Sequence, residues 1–349
     1  MPCPPAPDRP APTRILIVSD AWTPQVNGVV RTLRTVAEEL RALGKVVEVV
    51  GPDRFFTVPM PSYPEIRLAV RPGKTLARII DEFRPEALHI ATEGPLGLAA
   101  RAYAKRRKIA FTTAFHTRFA EYLKARTGIP EFITYAWLRR FHGAGAAVMV
   151  ATQSLRDELA ARGFTHLRPW SRGVDLTAFS PEPKEEWNLP RPIFLYVGRV
   201  AVEKNLRAFL ALDLPGSKLV VGDGPQRREL EAEFPNAHFV GARHGAELAR
   251  AYAGADVFVF PSRTDTFGLV VLEALASGLP VAAYPVTGPK DILAEAEQPV
   301  GALDEDLRAA CLKALEIDRT HCRPFAETYS WRACAERFLE NLVPVGEPA

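Results

Sequence analysis

Short continuous apolar runs alternate with stretches of helical periodicity along this chain. Arg14–Asp20 (RILIVSD) is an apolar run bounded by polar residues, the pattern of a strand buried on both faces of a parallel sheet. A polar loop, Ala21–Gly28, follows. Then Val29, Val30, Leu33, Val36, Ala37, Leu40 and Leu43 recur at the spacing of one helix face, with Gly44 as the stop. Further apolar runs fall at Val46–Val50, Ala87–Ala91, Ile109–Phe115 and Ala146–Ala151, with helical patterns between most of them. Such alternation predicts a parallel sheet with helices on both faces.

The pattern pauses at Pro181–Pro192, a proline- and charge-rich stretch that reads as a linker, and then restarts. Pro192–Gly198 is a new buried strand and a helix follows from about Glu203. Ser217–Gly224, His238–Gly241, Asp256–Ser262 and Leu279–Tyr284 continue the series, and Pro324–Leu342 carries helical spacing. The expected fold class is α/β, with two doubly wound Rossmann-like domains over residues 13–183 and 190–325. A disordered proline-rich tail over 1–12 precedes them, and a C-terminal helix within 326–349 is expected to pack back on the first domain. Two such domains facing each other set the carboxyl ends of both sheets around one central cleft, where ligands of open α/β sheets bind.

Length and composition fit this picture. The 349 residues hold roughly two domains of about 100–200 residues each. A chain 47% hydrophobic and 24% charged is neither disordered, collagen-like nor a small disulfide scaffold. No apolar run reaches the roughly 18 residues of a membrane-spanning helix. The opening MPCPPAPDRPAP has no apolar core and does not read as a secretory signal, so a cytoplasmic protein is expected. Cys3, Cys311, Cys322 and Cys334 form no C-x-x-C pair and read as reduced thiols, with no metal site.

Charge is spread unevenly. The formal net charge is +3, yet residues 1–180 carry 26 Lys and Arg against 16 Asp and Glu, while residues 181–349 carry 18 against 25. Within 101–140, Arg101, Lys105, Arg106, Arg107, Lys108, Arg118, Lys124, Arg126, Arg139 and Arg140 stand against only Glu121 and Glu131. Phe115, Phe119, Tyr122, Phe132, Tyr135, Trp137 and Phe141 are interleaved with them. A solvated helical face is one reading. Apolar anchors beside basic residues suit an interfacial membrane helix better than a duplex-reading surface, so the expected partner is an anionic membrane, with no nucleic acid. Each cation near such a leaflet contributes about 1 kcal/mol.

Four places carry candidate chemistry. The loop Pro24–Gly28 puts a glycine at a helix N-terminus, where backbone N–H groups and the helix dipole favour an anion, or simply makes a tight turn. It is not a G-x-G-x-x-G loop, which disfavours a dinucleotide cofactor. Arg199 follows the carboxyl end of a strand and Lys204 comes shortly after, two cations suited to a diphosphate. Ser262–Ala274 runs from a strand end through a polar loop into a helix starting near Gly268. Asp265 on the loop can accept sugar hydroxyls, the Gly268 and Leu269 amides can take phosphate, and Glu273 within the helix can take a ribose diol. Glu273 lies among apolar neighbours, and a buried carboxylate needs a partner. His116 lies at the carboxyl end of its strand, as a structural residue or at a cleft edge.

These residues resemble a family. FVFPSRTDTFGLVVLEALASGLPV, preceded by VGR-x4-K-N, VGDGP and F-x-G, is similar to the retaining glycosyltransferases of family four, with the GT-B fold. DAWTPQVNGVVRTL, HIATEGPLG, FHTRFAEYL and RGVD resemble its glycolipid branch, which contains sulfoquinovosyl- and phosphatidylinositol mannosyltransferases. The resemblance spans nearly the whole chain. It implies that Gly28 lies near the donor's distal phosphate and His116 beside the transferred sugar. Arg199 and Lys204 would neutralise the diphosphate, and Asp265 would bind sugar hydroxyls. Phe267, Gly268 and Leu269 would give backbone contacts, Glu273 would hold the ribose, and Val240 and Gly241 would lie near the base. It implies no metal and no cofactor, positive side chains acting instead, and a same-face substitution without an enzymatic nucleophile. Two features depart from the family pattern: Asp265 stands where Glu is common, and Leu206–Leu219 is short for the helix it must contain.

The implied activity is metal-independent transfer of a hexosyl or hexuronosyl group from a nucleotide diphosphate sugar to a lipid such as diacylglycerol or a phospholipid head group. The enzyme would be peripheral on the inner face of the cytoplasmic membrane. A soluble glycan acceptor is the alternative with the same donor. A non-catalytic nucleotide-sugar-binding module is a further alternative, which the presence of Arg199, Lys204 and Glu273 disfavours. An epimerase of the same architecture is disfavoured by Asp265 and Glu273.

Overall fold

The computed structural model describes residues 11–25, 27–60, 63–181, 187–264 and 267–346. The chain divides into two compact units. The first comprises residues 1–151, 156–171 and 332–349, and the second 152–155 and 172–331.

In the first unit the elements are β1 (Arg14–Val18), α1 (Gly28–Ala42), β2 (Val46–Val50), β3 (Thr57–Met60), β4 (Tyr63–Ala69), α2 (Gly73–Phe83), β5 (Ala87–Ile90), α3 (Pro95–Arg107), β6 (Thr112–Phe115), α4 (Phe119–Thr127), α5 (Glu131–His142), β7 (Ala147–Val150), α6 (Gln153–Ala161, which begins in the second unit) and β8 (Leu167–Pro169). Six strands form one parallel sheet in the order β2-β1-β5-β6-β7-β8. Leu16, Val18, Leu88 and Ile90 of β1 and β5 are fully buried beneath Leu96, Ala100 and Ala104 of α3. Ile109–Phe111 was expected to open β6 but does not, because the Ile109 amide still bonds to Ala104 O and finishes α3. β3 and β4 form a separate antiparallel hairpin that the apolar pattern does not announce. Its prolines are tolerated because a two-stranded ribbon has only edges.

The second unit holds β9 (Ile193–Val197), α7 (Leu206–Leu210), β10 (Ser217–Val221), α8 (Arg227–Glu233), β11 (Ala237–Phe239), α9 (Gly245–Ala253), β12 (Val257–Phe260), α10 (Leu269–Ala276), β13 (Val281–Ala283), α11 (Pro289–Ala294), β14 (Gly301–Leu303), α12 (Leu307–Leu315) and α13 (Cys322–Ala326). Its six parallel strands run β11-β10-β9-β12-β13-β14, the dinucleotide-fold order of three strands wound each way from a central first strand. Phe194, Tyr196, Phe209, Val257 and Val259 meet in one core. The helix between β9 and β10 is five residues long.

Two boundaries differ from expectation. Residues 172–180 belong with the second unit rather than the first, because Arg323 of α13 donates to the carbonyls of Leu176, Phe179 and Ala276. The single helix expected over Pro324–Leu342 is two. The Val174 amide bonds to Tyr329 O and Val174 bridges Ser330, which holds that segment extended between α13 and α14 (Trp331–Asn341). From residue 332 the chain lies in the first unit. There the Phe338 ring packs 4.9 Å from His89 and 5.0 Å from Trp170, and Val345 bonds to Glu86 O. The tail residues 1–10 and the linker residues 182–186 lie outside the described residues.

Candidate active site

Open α/β sheets bind ligands where the strand order reverses, at the carboxyl ends of the two diverging strands. In the second unit that point lies between β9 and β12. Two of the candidate motifs leave the sheet there, Arg199 and Lys204 after β9 and Ser262–Glu273 after β12. Side chains tie the two loops together. Asn205 Nδ2 donates to Pro261 O at 3.1 Å, and the Ser262 and Thr264 hydroxyls donate to Glu203 O at 3.3 and 3.4 Å. Asn205 takes a left-handed φ of 55°, which closes the 3₁₀ turn Val202–Lys204 and lets α7 begin. Lys204 is thereby half-buried within the junction, while Arg199 is exposed and its carbonyl accepts the Tyr196 hydroxyl at 2.8 Å.

The VGDGP turn has a steric reason. A Cβ on Gly222 would stand 1.8 Å from Gly198 O, and one on Gly224 would stand 2.3 Å from Val200 O. Only glycine lets this turn close on the segment that carries Arg199. Gly222 N also bonds to Gly241 O, and Val240 N to Val220 O, so Val240 and Gly241 are joined to the same edge of the sheet and are half-exposed.

Asp265 lies outside the described residues, as does Thr266. Phe267 is buried, and its carbonyl lies 2.5 Å from where a Cβ on Gly288 would be, so the loop after β13 fixes its backbone. Gly268 adopts φ 88° as the N-cap of α10, and the first-turn amides receive no side-chain cap from it. Glu273 is 2% exposed, and its Oε2 accepts the Tyr252 hydroxyl at 2.8 Å. The partner that a buried carboxylate demands includes this tyrosine, which sequence reasoning missed. Its signal is a lone aromatic among the buried alanines Ala249, Ala251 and Ala253 of its helix.

Gly28 and His116 lie in the first unit. Gly28 opens α1, but Asn27 is the N-cap and its Oδ1 accepts from the Val29 and Val30 amides at 3.0 Å each. Those two N–H groups are thus engaged within the chain. His116 is half-buried just past β6, its ring edge-on to Trp170 at 5.7 Å. The first sheet reverses between β1 and β5. There Asp20 accepts from Leu96 N at 2.8 Å, from Gly97 N at 3.1 Å and from Thr92 Oγ1 at 3.0 Å. Burial holds the Asp20 carboxyl above its usual range despite these bonds, and nearby Glu93 adds to the rise.

The basic block is not uniform. Arg101 donates to the carbonyls of Phe141 and Arg140, and Arg118 pairs with Glu121 and Glu158, so both serve the fold. Lys105, Arg106, Arg107, Lys108, Arg139 and Arg140 are exposed. So are Phe132, Ile133 and Trp137 on α5, at 73, 50 and 39%, with Ile129 just before it. Among the described residues no helix is long and apolar enough to cross a membrane, and no group of three or more His, Cys, Asp or Glu is placed to hold a metal ion.

Comparison with known proteins places the chain in a family and a fold. The family model Glycosyltransferase Family 4 matches residues 26–178, and Glycosyl transferases group 1 matches residues 191–316. The chain is 33% identical to a GDP-mannose-dependent alpha-mannosyltransferase of Mycobacterium tuberculosis over 80% of this chain and 81% of that one. It is 31% identical to a sulfoquinovosyl transferase of Arabidopsis thaliana over 93% and 72%, and 28% identical to an alpha-monoglucosyldiacylglycerol synthase of Streptococcus pneumoniae over 86% and 78%. Among solved structures, sucrose-phosphate synthase from Thermosynechococcus elongatus superposes with a TM-score of 0.70 at 20% identity, over 93% of this chain and 97% of that one.

Proposed function

This chain belongs to glycosyltransferase family 4, and from that premise we propose that it moves a hexosyl or hexuronosyl group, with retention, from a nucleoside diphosphate sugar to a lipid acceptor such as diacylglycerol or a phospholipid head group. It is a hexosyltransferase with the GT-B fold of two Rossmann-like domains. The observation that carries the donor assignment is the joining of the Arg199–Lys204 loop to the Ser262–Glu273 segment at the β9/β12 reversal. In this reading Arg199 and Lys204 oppose the diphosphate and the α10 N-terminus gives amides to it. Asp265 takes sugar hydroxyls, and Glu273, steadied by Tyr252, takes the ribose diol. Val240 and Gly241 border the base. Fixed cations at a developing diphosphate supply the stabilisation that a metal supplies elsewhere. The bond from the anomeric carbon to the diphosphate oxygen breaks, and the acceptor oxygen bonds to the same face of that carbon. The acceptor proton leaves on the departing phosphate.

The exposed apolar residues of α5 beside Arg139 and Arg140 support the lipid half of the reading. Such a face gains by entering an anionic interface, through apolar burial and cation attraction together. In this reading the enzyme is peripheral on the cytoplasmic leaflet, and one relative's name includes a glycosylated diacylglycerol.

A thermal-shift panel of UDP-, GDP- and ADP-sugars tests the donor half. A true donor at about 100 times its dissociation constant adds about 2.7 kcal/mol. Transfer of the label from the stabilising donor to vesicles holding diacylglycerol or phosphatidylinositol tests the acceptor half. Transfer to a soluble glycan and to no lipid overturns it.

A further inference from the structure

The loop between β5 and α3 carries two carboxylate interactions with different jobs. Asp20 already caps α3 by accepting the Leu96 and Gly97 amides, and the loop closes tightly around it. A Cβ on Gly94 would stand 2.5 Å from Asp20 Cγ, and one on Gly97 would stand 1.8 Å from Thr92 O. Glu93 takes no part in that cap. Its Oε1 lies 3.1 Å from His142 Nε2, and His142 Nδ1 lies 2.9 Å from Thr113 Oγ1 on β6. His142 is 1% exposed at the end of α5, whereas the Glu93 side chain is 22% exposed. A buried imidazole therefore holds a carboxylate by one oxygen at the carboxyl edge of the first sheet, beside the β1/β5 reversal. Among the described residues, His142 is the hydrogen-bond partner of that carboxylate.

We propose that Glu93 is the residue that recognises the acceptor's hydroxyl, and that His142 is its positioning residue. The inference rests on the transferase reading above but needs only a hydroxylated acceptor, lipid or glycan. An ionised carboxylate accepts hydrogen bonds and donates none. It therefore selects a group with an O–H to give, and it disfavours a phosphate in the same place by like-charge repulsion. The class of acceptor follows: the region around the reacting hydroxyl is uncharged, as in diacylglycerol or an unphosphorylated sugar, and any anionic group of the acceptor lies further away. A donor-sugar hydroxyl has the same chemistry, so the test separates the two sources.

The test uses the full chain with whichever acceptor the wild type glycosylates, and measures Glu93→Gln, His142→Gln and His142→Phe. A hydrogen bond to a charged group changes binding by roughly 10- to 100-fold. Glu93→Gln is expected to lower kcat/KM for the acceptor by about that factor, with donor KM and melting temperature nearly unchanged, and to narrow the preference for the free acceptor over its phosphorylated analogue. His142→Gln, which keeps an N–H within reach of the carboxylate, is expected to restore much of what His142→Phe loses. A rise in donor KM with acceptor KM unchanged overturns the proposal and gives Glu93 to the donor sugar. So does a fall in melting temperature with both KM values unchanged. Wild-type transfer to glycan alone removes the lipid reading and leaves this one standing.

Discussion

The Tyr252 hydroxyl donates to Glu273 Oε2 at 2.8 Å, and both side chains are buried. One carboxylate oxygen is thus held by the protein from α9. Tyr252→Phe removes that bond from a buried carboxylate, at a cost of roughly 1–3 kcal/mol, and is expected to lower the melting temperature. On the proposed role of Glu273 it should also weaken the hold on a ribose diol. Wild type is expected to bind the ribonucleotide better than its 2′-deoxy analogue, and Glu273→Gln should blunt that preference. Calorimetric titration with both nucleotides checks this, and undiminished discrimination in Glu273→Gln would confine the residue to the fold.

Lys204 sits where the loops after β9 and β12 are tied together, at the proposed donor site. Lys204→Ala removes a fixed cation from the leaving group and should slow transfer by about 10²–10³-fold. Its fold should persist, because the ties run through Asn205 and the Glu203 carbonyl. Turnover assays alongside melting curves distinguish the two effects; wild-type turnover in the variant would remove Lys204 from the site.

The exposed residues at the end of α3 and on α5 should respond to salt in two parts. Replacing Phe132 and Trp137 by Ser is expected to weaken vesicle binding at every salt concentration, since apolar insertion is not screened. Replacing Arg106, Arg107 and Lys108 by Ser should weaken it mainly at low salt, because exposed charges are screened over about 8 Å at physiological ionic strength. Co-sedimentation with anionic and neutral vesicles reads both. Binding indifferent to both sets of changes would leave the end of α3 and the outer side of α5 as solvated faces.

Burial pushes the thiols of Cys311 and Cys322 up to about 12. An unfolded thiol ionises near pH 8.5, so the native state holds these protons longer. The stability they contribute is complete below the unfolded value and is lost as pH rises towards 12. Each thiol adds a slope of about 1.4 kcal/mol per pH unit across that window. Urea titrations between about pH 8 and about pH 11 should show the decline, with a shallower slope in Cys311→Ala. Rapid alkylation of either thiol in the native protein at pH 9 or so would contradict it.

Much of this architecture is legible in the sequence, because β1, β5, β9 and β12 are buried on both faces and therefore announce themselves as apolar runs. The hairpin of β3 and β4 is hidden, since its exposed edges place no apolar demand on Pro59 or Val58. The motifs after β9 and β12 are also legible as residues, but their meeting is not. Asn205 reaching Pro261 depends on β9 and β12 being neighbours, a pairing that lies beyond any local pattern. His142 shows the same limit: the sequence reading passes over it, and only the sheet brings Glu93 and Thr113 to it.

Phe338 stands between His89 and Trp170, yet the whole of residues 172–331 separates it from them along the chain. On the ribosome that interval takes roughly 10–30 s at about 5–20 residues per second. Throughout it, the first sheet exists without the ring that covers two of its aromatic side chains. The unit synthesised first is therefore the one completed second, and a nascent chain halted before α14 leaves His89 on β5 and Trp170 just after β8 without that cover, open to chaperones rather than part of a finished domain.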